Sequence, residues 1–140
     1  MPEKRISGAE KKKIMAKAMK AKVRNLEFSR GKISLSFMGH KISDRISLKK
    51  ENLVADWSRI HRKIYIDREF GEREMKKSFR ALAVHEAVEK FLAEKFHLDV
   101  DTEAHPVAAQ KEKECLKREG GNWRSHEMIV YWDWHRQGEH

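Results

Sequence analysis

Residues 72–96 read EREMKKSFRALAVHEAVEKFLAEKF and form the longest periodic segment of this 140-residue chain. The segment contains no Gly or Pro, and apolar side chains return in it at steps of three, four or six residues. Those apolar residues are Phe79, Leu82, Val88, Leu92 and Phe96. A helical period without helix breakers predicts one long helix over residues 72–96, around which the rest of the fold is organised.

This predicted helix places two metal-ligand side chains on its apolar face. His85 and Glu89 are four residues apart, so they project from one side of a helix, about 40° apart around its axis. Leu82 and Leu92 extend the same face in both directions. A carboxylate in the middle of a buried stripe is costly unless it is paired or bound to a cation. The pattern therefore indicates a cation beside Glu89.

A second stretch, residues 104–112 with the sequence AHPVAAQKE, also contains a histidine and a glutamate among apolar residues. His105 and Glu112 are seven residues apart, close to two helical turns, and so share one face. We predict a second helix that begins after Asp99 or Asp101 and ends at about residue 118. Consecutive helices joined by a short connection are usually antiparallel neighbours, which would turn the two polar stripes towards each other.

Imidazole and carboxylate groups are both good ligands for zinc. We therefore predict one divalent metal ion, zinc, bound by His85, Glu89, His105 and Glu112. Two roles are open for Glu112: a fourth ligand, which is the preferred one, or an acceptor that orients an imidazole ring.

The first stretch is an H-E-x-x-E variant of the H-E-x-x-H motif, in which the residue after the first His is the general base of a zinc peptidase. That residue is Glu86. Together with IYID at residues 64–67 and A-H-x-x-A-x-x-x-E at residues 104–112, it resembles the zincin-like metallopeptidases. It is most similar to a group of small archaeal, bacterial and phage proteins. The resemblance covers about residues 60–118.

The resemblance implies a metal-dependent hydrolase of metallopeptidase type that acts on a peptide or protein. It also implies that the strand before the H-E-x-x-E helix is a sheet edge along which an extended substrate lies. The chain departs from the H-E-x-x-H pattern because its last motif position is Glu89, and a histidine ligand would come from His105 instead.

The remaining pattern predicts an α+β fold of minimal zincin-like type. Period-two alternation predicts a small antiparallel sheet, with a hairpin over residues 25–37, a turn at 38–40, a short strand at 42–48 and an edge strand near 60–67. A helical turn is expected over 53–58. Gly120 and Gly121 should end the second metal-site helix, and Asn122 should cap a final helix that reaches about residue 135.

Charge is concentrated at the start of the chain. The net charge is +9, of which residues 1–24 carry +7. We predict a basic arm or helix over residues 1–24 and a single metal-binding domain over residues 25–140. The arm either packs on the domain or folds on a partner, and it is a candidate for binding nucleic acid. Its candidate contacts are Lys11, Lys12, Lys13, Lys17 and Lys20.

Two further functions are therefore alternatives to a hydrolase. One is a nucleic-acid-associated module with a structural metal, and the other is an inactive zincin-like scaffold for protein interaction.

The amino-acid composition limits the class of protein and its expected compartment. The one cysteine, Cys115, excludes a disulfide framework within the chain, and no apolar run approaches the roughly 18 residues that span a bilayer. The first 13 residues have no apolar core of the kind found in secretory signals, so we expect a cytoplasmic protein. Abundant Lys, Glu and Arg with only three Asn and two Gln is typical of a heat-adapted organism.

Overall fold

The structure, a computed structural model, describes residues 7–29, 31–49, 55–58, 63–67 and 76–136. The fold belongs to the α+β class, as predicted. Residues 1–6 of the predicted arm, 60–62 of the predicted strand and 72–75 of the predicted helix lie outside the described residues.

One five-stranded sheet forms the β layer. Its strands are β1 (Arg24–Ser29), β2 (Lys32–Phe37), β3 (His40–Lys49), β4 (Ala55–Ser58) and β5 (Lys63–Asp67). They are arranged in the order β1-β2-β3-β5-β4. The pairs β1–β2, β2–β3 and β4–β5 are antiparallel, whereas β3 and β5 are parallel. The sheet is therefore mixed, whereas the sequence predicted an antiparallel sheet.

Two predictions about this end of the sheet are wrong. A helical turn was expected over residues 53–58; residues 53 and 54 lie outside the described residues, and residues 55–58 form strand β4, whose backbone pairs with β5 in the register Trp57↔Ile64. The pairing satisfies backbone groups that so short a segment could not satisfy by itself. Consequently β5 is not an edge strand: it lies between β3 and β4, and β4 is at the edge of the described sheet.

The hairpin between β2 and β3 turns at Met38 and Gly39, as the sequence predicted. Both residues have positive φ, 51° and 77°, which is the backbone of a type I′ turn. That turn matches the right-handed twist of the flanking strands.

Helix α2 (Lys76–Phe96) packs on this sheet. On the sheet side, Ile33, Leu35 and Phe37 of β2 are at most 1% exposed, and the core continues through Val84 and Val88 of α2. This apolar layer holds α2 in place and thereby fixes the position of His85 within it.

Helix α3 (His105–Arg118) follows a short π-helical segment, Val100–Ala104. Asp99 caps this segment by accepting bonds from the Thr102 backbone N–H at 2.9 Å and hydroxyl at 2.7 Å, which confirms one of the two predicted caps. The end of α3 is also as predicted. Gly120 adopts φ 77°, and the Gly121 N–H donates to the Leu116 carbonyl at 2.8 Å, a Schellman motif.

Helices α2 and α3 are antiparallel neighbours, as the sequence predicted. Residues further along α2 contact residues that come earlier in α3. These contacts are Arg80 with Glu119, His85 with Glu112, and Glu89 with His105.

Helix α1 (Gly8–Lys20) is shorter than predicted and packs on α3. Helix α1 ends where the backbone of Ala21 is extended. Carbonyl groups at this end of the helix accept hydrogen bonds from a lysine of α3. Lys111 is 1% exposed and donates to the carbonyls of Met19 at 3.0 Å and Ala21 at 2.5 Å. Ala18 is fully buried in the same interface.

The final helix, α4 (Trp123–Arg136), begins at the predicted cap. The side-chain oxygen of Asn122 accepts a hydrogen bond from the Ser125 N–H at 3.0 Å. Within the described ranges, none of the helices has both the length and the hydropathy that crossing a membrane requires.

Candidate metal centre

The interface between α2 and α3 brings three predicted ligands together. One carboxylate oxygen of Glu89, Oε2, lies 3.0 Å from Nε2 of His85 and 3.2 Å from Nδ1 of His105. The imidazole rings are 4.7 Å apart between centroids. Each residue offers one ligand atom, and these three atoms all lie within 4.8 Å of one another. The group could therefore hold a metal ion.

This group lies where the protein interior meets solvent. His85 and Glu89 are buried, at 6% and 7% exposure, whereas the side chain of His105 is 56% exposed. The difference follows from local structure, since His105 is the first residue of α3 and comes directly after the π-helical segment. Such segments often occur at functional sites. His105 is therefore the member of the group that is exposed to solvent.

Glu112 is not a member of this three-residue group, contrary to the preferred prediction. Its Oε1 lies 2.6 Å from Nδ1 of His85, on the opposite side of the imidazole ring from Glu89. An imidazole has two nitrogens on different edges, so a group that bonds one nitrogen stands behind the ring when the other faces a metal. This position is compatible with the alternative role of Glu112, an acceptor that orients an imidazole.

Negative charge is concentrated around His85. Glu86, Glu89 and Glu112 are each no more than 7% exposed. Burial alone would lower the pKa of His85, but hydrogen bonds to Glu112 and Glu89, together with the charges of Glu86 and Glu112, raise that pKa to about 10. Without a metal, the surrounding carboxylates therefore favour the protonated form of His85. A divalent ion would bring more positive charge to the same carboxylates.

The predicted general base, Glu86, is 6% exposed and follows His85 directly on α2. Its negative charge contributes to the raised pKa of His85. Glu86 is not part of the three-residue group. The structure therefore places Glu86 in the protein interior and not on the surface.

Sequence reasoning missed His126, which belongs to the same cluster. This histidine on α4 is 2% exposed, its Nε2 bonds Glu112 Oε2, and its Nδ1 lies 2.9 Å from the Ser78 hydroxyl. Burial alone would raise the pKa of Glu112, but the hydrogen bonds to His126 and His85 outweigh it and lower the pKa below its ordinary value. Its position in the sequence could have indicated this contact, because His126 is the fourth residue of a helix that follows α3 after a short connection.

The predicted nucleic-acid contacts divide into two groups. Lys11 forms an ion pair with Glu103 at 3.2 Å, and Glu103 lies two residues before His105. The other four are exposed on α1: Lys12, Lys13, Lys17 and Lys20. The first turns of α1 are thereby held beside the segment that carries His105.

Comparisons with known proteins gave no match to a family model, to a curated protein or to a solved structure. The function must therefore be argued from the geometry of this cluster.

Proposed function

We propose that this chain is a zinc-dependent hydrolase of the metallopeptidase type, in which His85, Glu89 and His105 hold one metal ion. The observation that carries the proposal is the three-residue group, with two buried members and one exposed to solvent. Three protein ligands that leave a position for water are typical of catalytic zinc sites, whereas structural sites are closed by four. The exposure of His105 thus favours a catalytic site over an inactive scaffold.

Two of the three separations between donor atoms fit zinc. Bonds of about 2.0–2.1 Å in a tetrahedron place ligand atoms about 3.3–3.4 Å apart. The Glu89 oxygen lies 3.0 Å from its His85 partner and 3.2 Å from its His105 partner. These two distances differ from the tetrahedral values by only a few tenths of an ångström, and the His85 and His105 ligand atoms lie within 4.8 Å of each other.

A divalent zinc ion lowers the pKa of a coordinated water towards about 7. Glu86, adjacent to His85 on the same helix, is the group that would accept the proton. A carboxylate directly after the first histidine is the general base in the H-E-x-x-H zinc peptidases.

An extended peptide has a place to bind in this arrangement. Strand β4 pairs with β5 on one side and forms the edge of the described sheet. An edge strand can accept an additional strand through backbone hydrogen bonds. The proposal therefore moves the substrate strand from residues 60–67, as the resemblance implied, to β4.

The test is hydrolysis of a diverse peptide library by the zinc-loaded protein and by Glu86→Gln. We expect cleavage by the wild type, and retained zinc with loss of cleavage in the variant, because the amide cannot accept the proton. Glu127→Gln makes the same change at an exposed position of α4 and should cleave normally. Equal inactivity of zinc-loaded wild type and Glu86→Gln would contradict the hydrolase.

A second function is favoured by the exposed lysines of α1. A helix that presents four of them, and whose Lys11 pairs with Glu103 near His105, could bind nucleic acid and bring the metal site to a protein bound there. Electrostatic binding of this kind weakens steeply with salt. We expect DNA or RNA affinity at low salt to fall when Lys12, Lys13 and Lys17 are changed to Gln. No binding at low ionic strength would exclude this function.

A further inference from the structure

Behind His85, a line of buried polar groups crosses from α2 to α4. It begins at Ser78 on α2, passes through His126 on α4 to Glu112 on α3, and returns to His85 on α2. All four residues are at most 7% exposed. Three helices therefore contribute to a single hydrogen-bonded chain that ends at a candidate metal ligand.

The chemistry of the groups gives this chain one direction. Carboxylate oxygens accept hydrogen bonds, so both oxygens of Glu112 are acceptors. His126 must then donate to it through Nε2–H, and His85 must donate through Nδ1–H. The other ring nitrogen of His126, Nδ1, lies 2.9 Å from the Ser78 hydroxyl. Because Nδ1 of His85 donates to Glu112, Nε2 is the ring nitrogen that faces Glu89 and His105.

We propose that His126 is a positioning residue of the metal centre: by holding Glu112, it fixes the ring orientation of His85 that presents Nε2 to the metal. This proposal rests on the metal site proposed above. Helix α4 is then a functional part of the centre, although it supplies no ligand. Carboxylates that orient ligating histidines affect metal affinity by about 10–100-fold, and here the carboxylate is itself oriented by a second histidine.

A set of variants separates positioning from packing. His126→Ala removes the donor to Glu112. In His126→Gln the amide nitrogen reaches roughly the place of Nε2, so the donor is kept, whereas in His126→Asn the shorter side chain reaches only the place of Nδ1. Ser78→Ala removes the far end of the chain, and Ser125→Ala is the matched control at an exposed position of α4.

Three readouts are compared on each full-length protein. They are zinc affinity by competition with a chromophoric chelator, the visible absorption spectrum of the cobalt-substituted protein, and the melting temperature without metal. We expect His126→Ala and His126→Asn to lose about 10–100-fold in zinc affinity and to change the cobalt spectrum. We expect His126→Gln to recover most of that affinity, Ser78→Ala to lose less than His126→Ala, and Ser125→Ala to match the wild type.

Two results would overturn the proposal, and they are distinguishable. If the wild type binds zinc and His126→Ala keeps the same affinity and cobalt spectrum while its metal-free melting temperature falls, His126 serves packing alone. If the wild type binds neither zinc nor cobalt, the metal site itself is wrong and His126 has no ligand to position.

Discussion

The Nδ1 atom of His85 lies 2.6 Å from the Oε1 atom of Glu112 across the interface of α2 and α3. This contact joins the H-E-x-x-E helix to the helix that begins with His105. It also occupies one nitrogen of the His85 ring, so only the other nitrogen can face a metal.

Replacement of Glu112 by Gln distinguishes an orienting residue from a ligand. We expect one zinc ion per chain to remain bound, with affinity reduced by about 10–100-fold, because the amide orients the imidazole less strongly than the carboxylate does. Zinc stoichiometry by elemental analysis and affinity by chelator competition measure this. Complete loss of bound zinc, as severe as in His85→Ala, would show that Glu112 is a ligand after all.

Removal of the metal should destabilise the protein. A ligand that binds only the native state adds about 2.7 kcal/mol at a free concentration one hundred times its dissociation constant. Thermal unfolding with zinc and with excess chelator should therefore differ in midpoint. His85→Ala is the control, because its midpoint should respond to neither addition. A wild-type midpoint unaffected by chelator would argue against a bound ion.

Attachment of α1 should depend on Lys111, whose ammonium group donates to the carbonyls of Met19 and Ala21. Lys111→Met keeps most of the chain volume but leaves these carbonyls without that donor, at a cost of about 1–3 kcal/mol. We expect a lower free energy of unfolding and faster tryptic cleavage within α1. Lys117→Met removes an exposed lysine from the same helix and should change neither. Unchanged cleavage in Lys111→Met would mean that apolar packing alone holds α1.

The thiol of Cys115 should react slowly in the native protein. Burial and the charge of Glu119 raise its pKa to about 11, although Arg118 and Arg80 oppose the shift. At pH 8 only about 0.1% of the thiol is then ionised, and the thiolate is the reactive form. We expect labelling with a disulfide reagent to be far slower at pH 8 than in guanidinium, and to accelerate as pH rises towards 11. Equal rates in native and unfolded protein would contradict this.

The helical part of the centre could be predicted because each helix carries its own signal. A helical period places His85 and Glu89 on one face of α2, and the capping residues Asp99 and Asn122 mark where later elements begin. The pairing of α2 with α3 follows from the short connection between them. These local rules explain why three of the four predicted ligands lie together.

Strand β4 and the roles of Glu112 and His126 depend on tertiary contacts that no local sequence pattern encodes. Four residues of β4 form a strand only because β5 supplies pairing partners. The roles of Glu112 and His126 depend on how α4 lies against α2 and α3, and a spacing argument within one helix cannot provide that. Glu112 was therefore included among the ligands on the basis of its helical face alone.

The most direct test of the account is the metal content of purified full-length protein, measured by elemental analysis beside His85→Ala, His105→Ala and the control His97→Asn. Asn is chosen because His97 has a φ of 53°, which Asn tolerates. The account predicts one zinc per chain in the wild type and in His97→Asn, and none in the other two. Metal-free wild type that cannot be loaded with zinc, or full occupancy in both ligand variants, would contradict it.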